Sequence, residues 1–213
     1  MNPDSQAPLR PLASASPPTS SAAPASVDSP VSTGVDSFVS AGVDDEFVVL
    51  VDDDGSPVGT SLKATVHTAS TPLHLAFSCH VVNDDGEVLV TRRALTKATW
   101  PGVWTNSFCG HPAPGETPLE AVGRRAFQEL GMEVRDVRSI LPDFRYRATD
   151  ASGIVENEIC PVFTATAVGS PSPSALEVAE WAWISPDDLR ASVAAAPFAW
   201  SPWLGWQLEA WPV

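Results

Sequence analysis

Residues 110–132 read GHPAPGETPLEAVGRRAFQELGM. Thr117-Pro118-Leu119-Glu120 is a capping box with proline at the first helical position, so a helix is expected over 118–130. Leu119, Val122, Ala126 and Leu130 supply its expected apolar stripe, and Gly131 ends it. Arg125 and Glu129 stand one turn apart on another face, and Gly115-Glu116 opens the approach to the helix.

Strand signals surround this helix. Glu46 to Val51 is a short apolar run followed by the turn Asp53-Asp54-Gly55. Leu73–Val82 and Glu87–Arg92 flank Asn83-Asp84-Asp85-Gly86, a hairpin signal. Within 88–91 both alternating sets are apolar or small, so both faces are expected to be covered. Strands are expected near 132–141, 154–166 and 177–184. A helix begins at Pro186, and another near 198–210 carries Trp200, Trp203, Leu204 and Leu208. Strands mixed with a few helices, without regular βαβ alternation, point to an α+β or mixed α/β sandwich.

The 213 residues suffice for one domain with a core. Residues 1–40 hold seven Pro, ten Ser and one Phe, too little apolar surface to offset ordering entropy. A disordered Pro/Ser/Ala-rich tail over 1–44 and a folded domain over 45–213 are therefore expected. A net charge of −14 argues against binding nucleic acid or an anionic membrane nonspecifically. Three scattered cysteines without CxxC argue for reduced thiols in the cytoplasm. No apolar run reaches membrane-spanning length, and the N-terminus lacks a secretory signal pattern.

The chain has only four histidines, and three lie near other potential ligands. His111 follows Cys109-Gly110, and Glu156 and Glu158 are two apart on an expected strand, hence on one face. His67 and His74 lie in a segment too irregular to place. Three imidazoles with two carboxylates suit a divalent transition metal, Zn or Mn before Ca. Taken singly, each has a bland reading: a surface histidine, a solvated Glu-x-Glu face, a small buried thiol. His80 reads as a hydrogen-bonded or surface histidine outside the site, and Cys79 and Cys160 as buried packing.

The spacing of Gly110, Glu116, Arg124, Glu129 and Gly131 resembles the Nudix box, a loop–helix–loop that binds a diphosphate through Mg²⁺. Arg125 and Gln128 stand where that family normally has Glu, which argues for binding a diphosphate without cutting it. Further stretches, among them Leu73 to Ser78, Trp104-Thr105-Asn106-Ser107, Cys109-Gly110-His111-Pro112, Asp143 to Ala148 and Glu156-Asn157-Glu158, closely resemble the type I isopentenyl-diphosphate isomerases over about residues 45–205.

That resemblance implies a Nudix-type α/β/α sandwich with a mixed sheet. It also implies interconversion of isopentenyl and dimethylallyl diphosphate through a tertiary carbocation, in isoprenoid precursor synthesis. The implied catalytic residues are Cys109, Glu158, Tyr146 and Trp203. Glu158, supported by Tyr146, is favoured as donor to the alkene and Cys109 as base toward carbon 2, with the direction of these two roles left open by the sequence; Trp203 is expected to face the cation. Lys63, Arg93, Lys97 and Arg125 match the diphosphate contacts. His67, His74, His111, Glu156 and Glu158 would hold Zn²⁺ or Mn²⁺; Glu129, with the Cys109 carbonyl and the diphosphate, would hold Mg²⁺. The expected partner is a small allylic or homoallylic diphosphate, taken by a cytoplasmic monomer with no nucleic acid and no membrane. A Nudix hydrolase of nucleoside diphosphate derivatives and a non-catalytic Nudix-fold binding module are the rival readings. The first leaves Cys109 unexplained, and the second leaves both proton-transfer groups idle.

Overall fold

The computed structural model describes residues 46–211, and the tail expected at 1–44 lies outside them. The chain begins with β1 (Phe47–Val51) and β2 (Pro57–Leu62), then a single helical turn, α1 (Lys63–Val66). Five strands follow: β3 (His74–Leu75), β4 (Phe77–Val82), β5 (Val88–Arg93), β6 (Trp104–Thr105) and β7 (Phe108–Gly110). After α2 (Pro118–Leu130) come β8 (Glu133–Leu141), β9 (Arg145–Thr149), β10 (Val155–Ile159), β11 (Val162–Val168) and β12 (Val178–Ile184). The chain ends with α3 (Pro186–Ala195), a 3-10 turn over Pro197–Ala199, and α4 (Pro202–Ala210).

Two sheets result, ordered β2-β1-β3-β10-β9 and β12-β5-β4-β11-β8, with β6 on β5 and β7 on β4. Both are mixed: β10 runs parallel to β3, and β11 parallel to β4. Two runs expected as single strands each divide between the sheets. The chain changes sheet at Ala76 in one run and at Cys160-Pro161 in the other. The crossings are laced together: Ala76 N–H donates to Ile159 O at 2.9 Å and Ser78 N–H to Pro161 O at 3.1 Å. His74 and Glu158 therefore belong to the first sheet, and Ser78 to the second.

The hairpin at Asn83–Gly86 forms, but β4 and β5 pair only at Val82 and Val88 before they part. The short strands β6 and β7 fill the gap, putting Thr105 opposite Thr91 and Cys109 opposite Ser78. Small polar side chains satisfy the backbone groups freed by the opening. Ser107 Oγ accepts from Val81 N–H and donates to Leu89 O, both at 2.7 Å. The run Thr105-Asn106-Ser107 is fully buried for this reason.

Val88 to Thr91 are all buried, as expected for a strand covered on both faces. Leu89 packs toward α2, with Phe77, Val122, Ala126 and Leu130. Val88 and Val90 pack toward α3 and α4, with Leu189, Leu204 and Leu208. The second sheet thus lies between helices, an α/β/α sandwich. Truncating a fully buried side chain such as Leu130 to alanine would cost about 2–5 kcal/mol.

The capping box of α2 forms as expected, Thr117 and Glu120 bonding reciprocally. Gly131 caps it at φ +60°, where a Cβ would meet Ser172 O at 2.3 Å. The phase of the helix differs from expectation. Leu119 is exposed, and the buried positions are Ala121, Val122, Arg125, Ala126, Glu129 and Leu130. Two charged residues thus occupy the buried stripe, because that side of the helix also borders a polar pocket. Gly110 permits the close approach of α2 to β7: a Cβ there would lie 2.8 Å from Arg125 Cγ and 3.0 Å from the Phe77 ring.

Candidate functional site

A pocket of about 490 Å³ opens where the two sheets and α2 meet. Of the residues expected in the site, all but His74 line it. His74 is fully buried, directly against Glu158.

One end is an imidazole–carboxylate cluster. The parallel register of β3 and β10 places His74 beside Glu158, while His67 ends the turn α1 and His111 follows β7. Glu158 Oε1 lies 3.2 Å from His111 Nε2 and 3.5 Å from His74 Nε2. Glu156 Oε2 lies 3.1 Å from His67 Nε2. Both carboxylates are almost wholly buried on one face of β10, as their spacing of two requires. One ligand atom from each of His67, His74, His111 and Glu158 falls within 4.8 Å of the others.

The hydrogen bonding of this cluster fits a cation. His74 Nδ1 donates to Pro72 O at 2.9 Å, which leaves the Nε2 lone pair aimed at the cluster. Buried His67 Nε2, His74 Nε2 and His111 Nδ1 have no hydrogen-bond partner among the described residues. Burial alone would raise Glu158, but the neighbouring His111 and His74 rings outweigh it and hold the carboxyl well below its usual range. Burial pulls His111 down. In His74, burial is outweighed by the neighbouring Glu158 carboxylate, and the balance is upward. Three imidazoles around an ionised carboxylate form a donor set suited to a divalent metal.

The other end is basic, and each cation already has oxygen partners. Lys63 pairs with Glu46, and Lys97 with Glu177. Arg125 Nη2 lies 2.5 Å from Glu129 Oε1 and 3.3 Å from Glu177 Oε1. Arg125 and Glu129 are 5% and 7% exposed, so theirs is a buried pair and not a solvated surface pair. Burial raises Glu129 despite its bonded arginine. Arg93 is held by its Nε and Nη2, which donate to the Thr99 carbonyl at 3.1 and 2.8 Å. Its guanidinium carbon lies 5.8 Å from the Trp203 ring centroid.

Between these ends lies an aromatic wall. Trp203 packs on Trp100 and Tyr146, at centroid separations of 5.2 and 5.6 Å. Cys109, Phe144 and Ala148 complete the cluster. Burial pushes the Cys109 thiol up to about 12 and raises Tyr146 well above its ordinary value. Cys109 is therefore a neutral thiol. Its Sγ lies 3.3 Å from Asn106 Oδ1 and 3.2 Å from Ser78 Oγ. Asn106 Oδ1 also accepts from Trp203 Nε1 at 3.1 Å and from Thr105 Oγ1 at 2.9 Å.

Sequence reasoning named no role for Asn106, Ser78, Thr99, Glu46 or Glu177. Asn106 carried one signal, a run of three small polar residues between aromatics at 105–107. Glu46 and Glu177 carried none, since exposed glutamates are common. Glu116 bonds to Arg124 at 2.7 Å and to Ala113 N–H at 2.8 Å, bracing the loop before α2. His80 is fully buried and bonded to Gln207 at 3.0 Å, outside the pocket lining.

Comparison with known proteins places these features. The family model described as NUDIX domain matches residues 72–204. An isopentenyl-diphosphate Delta-isomerase of Kocuria rhizophila is 62% identical over 164 residues, covering 77% of this chain and 91% of the relative. One of Leifsonia xyli subsp. xyli is 64% identical over 168 residues, covering 78% and 90%. Among solved structures, DR0079 from Deinococcus radiodurans aligns with a TM-score of 0.61 at 21% identity, covering 78% of this chain and 98% of its own. That likeness speaks to the fold alone.

Proposed function

The chain belongs to the Nudix superfamily and, within it, to the isopentenyl-diphosphate Delta-isomerases, and from this premise we propose how its residues divide the work. The reaction converts isopentenyl diphosphate to dimethylallyl diphosphate. The observation that carries the assignment of roles is one pocket lined by a thiol, Cys109, and a carboxylate, Glu158, together with basic side chains and an aromatic wall.

Moving the double bond takes one proton onto the terminal alkene carbon and one off carbon 2, through a tertiary cation. Cys109 and Glu158 are the two transfer groups in this reading. At rest the thiol holds its proton and Glu158 is ionised. This distribution favours Cys109 as the first donor and Glu158 as the acceptor, an order the sequence leaves open. Tyr146 retains its phenolic proton beside them. Trp203 offers a ring face to the cation, worth roughly 2 kcal/mol or more in a dry site. The aromatic wall also excludes water that would trap the cation.

Lys63, Arg93, Lys97 and Arg125 are assigned to the diphosphate, which would exchange with the carboxylates now paired to three of them. His67, His74, His111, Glu156 and Glu158 would hold Zn²⁺ or Mn²⁺; Glu129 and the Cys109 carbonyl would hold Mg²⁺ with the diphosphate. When bound, these ions supply positive charge that fixes Glu158 and neutralises the diphosphate. We place the catalytic domain at 45–213, with residues 1–44 outside it. We read the protein as a cytoplasmic monomer acting in isoprenoid precursor synthesis, with no nucleic-acid or membrane partner. No described helix is long and apolar enough to cross a membrane.

The test uses protein stripped by chelator and reloaded with Zn²⁺ or Mn²⁺, with and without Mg²⁺, turning over isopentenyl diphosphate. Turnover should need both loadings. Cys109→Ala should abolish it at unchanged metal content, because the side chain transfers a proton without ligating. Loss of metal in that variant, or turnover by stripped protein, would overturn the assignment.

A further inference from the structure

Three buried polar side chains, Ser78, His80 and Gln207, lie outside the pocket lining and have no part in the chemistry above. All three are completely inaccessible. Gln207 is the surprising one. It sits on α4 among buried Trp203, Leu204 and Leu208, where leucine or methionine would pack without burying an amide. Its two amide atoms have separate partners: Nε2 donates to Ser78 Oγ at 2.9 Å, and Oε1 lies 3.0 Å from His80 Nε2. Ser78 Oγ in turn lies 3.2 Å from Cys109 Sγ, its register partner across β4 and β7. The four groups form one unbroken chain, His80–Gln207–Ser78–Cys109.

The direction of this chain is fixed by its far end. Burial holds His80 down to about 4, so the ring is neutral and carries one N–H. Its Nδ1 has no partner among the described residues. A buried N–H without an acceptor is rarer and costlier than a bare lone pair, so the proton belongs on Nε2. His80 then donates to Gln207 Oε1, which turns Gln207 Nε2 toward Ser78. Ser78 spends a lone pair accepting, and its own proton faces sulfur, with Cys109 Sγ at 3.2 Å nearer than Cys160 Sγ at 3.5 Å. On the other side, Asn106 is locked in the opposite sense. Its Nδ2 donates to Cys79 O at 3.1 Å and Phe108 O at 2.7 Å, so only Oδ1 can face Cys109.

We propose that Gln207 and His80 are positioning residues for proton transfer at Cys109, acting through Ser78, whose hydroxyl they fix as a donor to the sulfur. Sγ is then held between a donor, Ser78, and an acceptor, Asn106. This gripping restricts rotation of the thiol and keeps it in one orientation toward the substrate, where small misplacement is costly. The inference rests on the reading of Cys109 as a proton-transfer group.

The test is a double-mutant cycle on the metal-loaded enzyme, with kcat and KM for isopentenyl diphosphate measured separately. Gln207→Met keeps the volume and removes both hydrogen bonds. Ser78→Ala removes the hydroxyl and is the smaller disturbance should the first variant fold poorly. Each should lower kcat by about five- to tenfold, the loss of one oriented hydrogen bond. KM and bound metal should not change. Because Gln207 acts through Ser78, the double variant should be no slower than Ser78→Ala alone. Gln207→Glu should also lower kcat, since a carboxylate would draw the Ser78 proton away from sulfur. Losses that multiply in the double variant, or a kcat within twofold of the parent in Ser78→Ala, would overturn the proposal. Turnover retained by Cys109→Ala would instead remove the reading it rests on, which keeps the two failures distinct.

Discussion

Replacing Arg125 with methionine removes a cation from the buried face of α2 while keeping a side chain of similar reach. Arg125 reaches Glu129 Oε1 through Nε at 2.9 Å and Nη2 at 2.5 Å, and a second carboxylate oxygen, on Glu177, lies at 3.3 Å. With Glu129 only 7% exposed, its charge would be left without its bonded partner and without water. Breaking a buried pair in this way costs about 3–5 kcal/mol. At roughly 2–4 °C per kcal/mol for a domain of this size, Tm should fall by about 6–20 °C. The loss should depend on pH. Burial already raises Glu129, and without Arg125 its folded pKa rises further above the unfolded value. A group raised in this way favours the fold below its unfolded pKa and loses that contribution as pH rises through the folded value. The variant should therefore be most destabilised at pH 8 and less so near pH 5. Adding Glu129→Leu should recover most of the loss, because no buried charge remains. Thermal and urea denaturation of both variants at the two pH values is the assay. A penalty below about 1 kcal/mol at pH 8, the scale of a solvated i,i+4 pair, would refute the reasoning.

Glu158→Gln should lose both bound metal and turnover, because Glu158 is the carboxylate of the imidazole cluster and also a proton-transfer group; normal metal content with a near-normal rate would rule out the double role. His80, held neutral down to about pH 4 inside the fold, should make the parent lose stability as pH falls from about 6.5 to 4, since the unfolded chain takes up a proton that the fold excludes. The slope reaches at most about 1.4 kcal/mol per pH unit, and His80→Phe should flatten it in urea titrations; equal slopes would contradict the neutral buried ring.

The elements legible in the sequence were those with local punctuation. The capping box at Thr117, the left-handed Gly131 and the Asn83–Gly86 turn each act within a few residues, and all formed. The mixed sandwich was legible because the Nudix-like spacing runs through that same helix. What escaped reading depended on distant partners. β2 is nearly all exposed, so Pro57–Leu62 carries no buried alternation. Ala76 and Cys160-Pro161 look like strand interior, and only the opposing crossing shows why the chain changes sheet there. Leu119 misled because an apolar residue was taken as buried, whereas Arg125 and Glu129 took the stripe by pairing with each other. The site residues were read as a set because histidine and cysteine are scarce in this chain. Their supports were not, because Ser78, Asn106 and Gln207 gain meaning only from atoms up to 129 residues away.

One measurement reads paired proton transfer in this pocket directly. Metal-loaded protein with Mg²⁺ is incubated with isopentenyl diphosphate in deuterated water and followed by NMR. Dimethylallyl diphosphate should form with its diphosphate intact, deuterium should enter the methyl groups and carbon 2 as the reaction runs in both directions, and neither signal should appear in Cys109→Ala. Release of phosphate, or no exchange in protein shown to carry its metal, would contradict it.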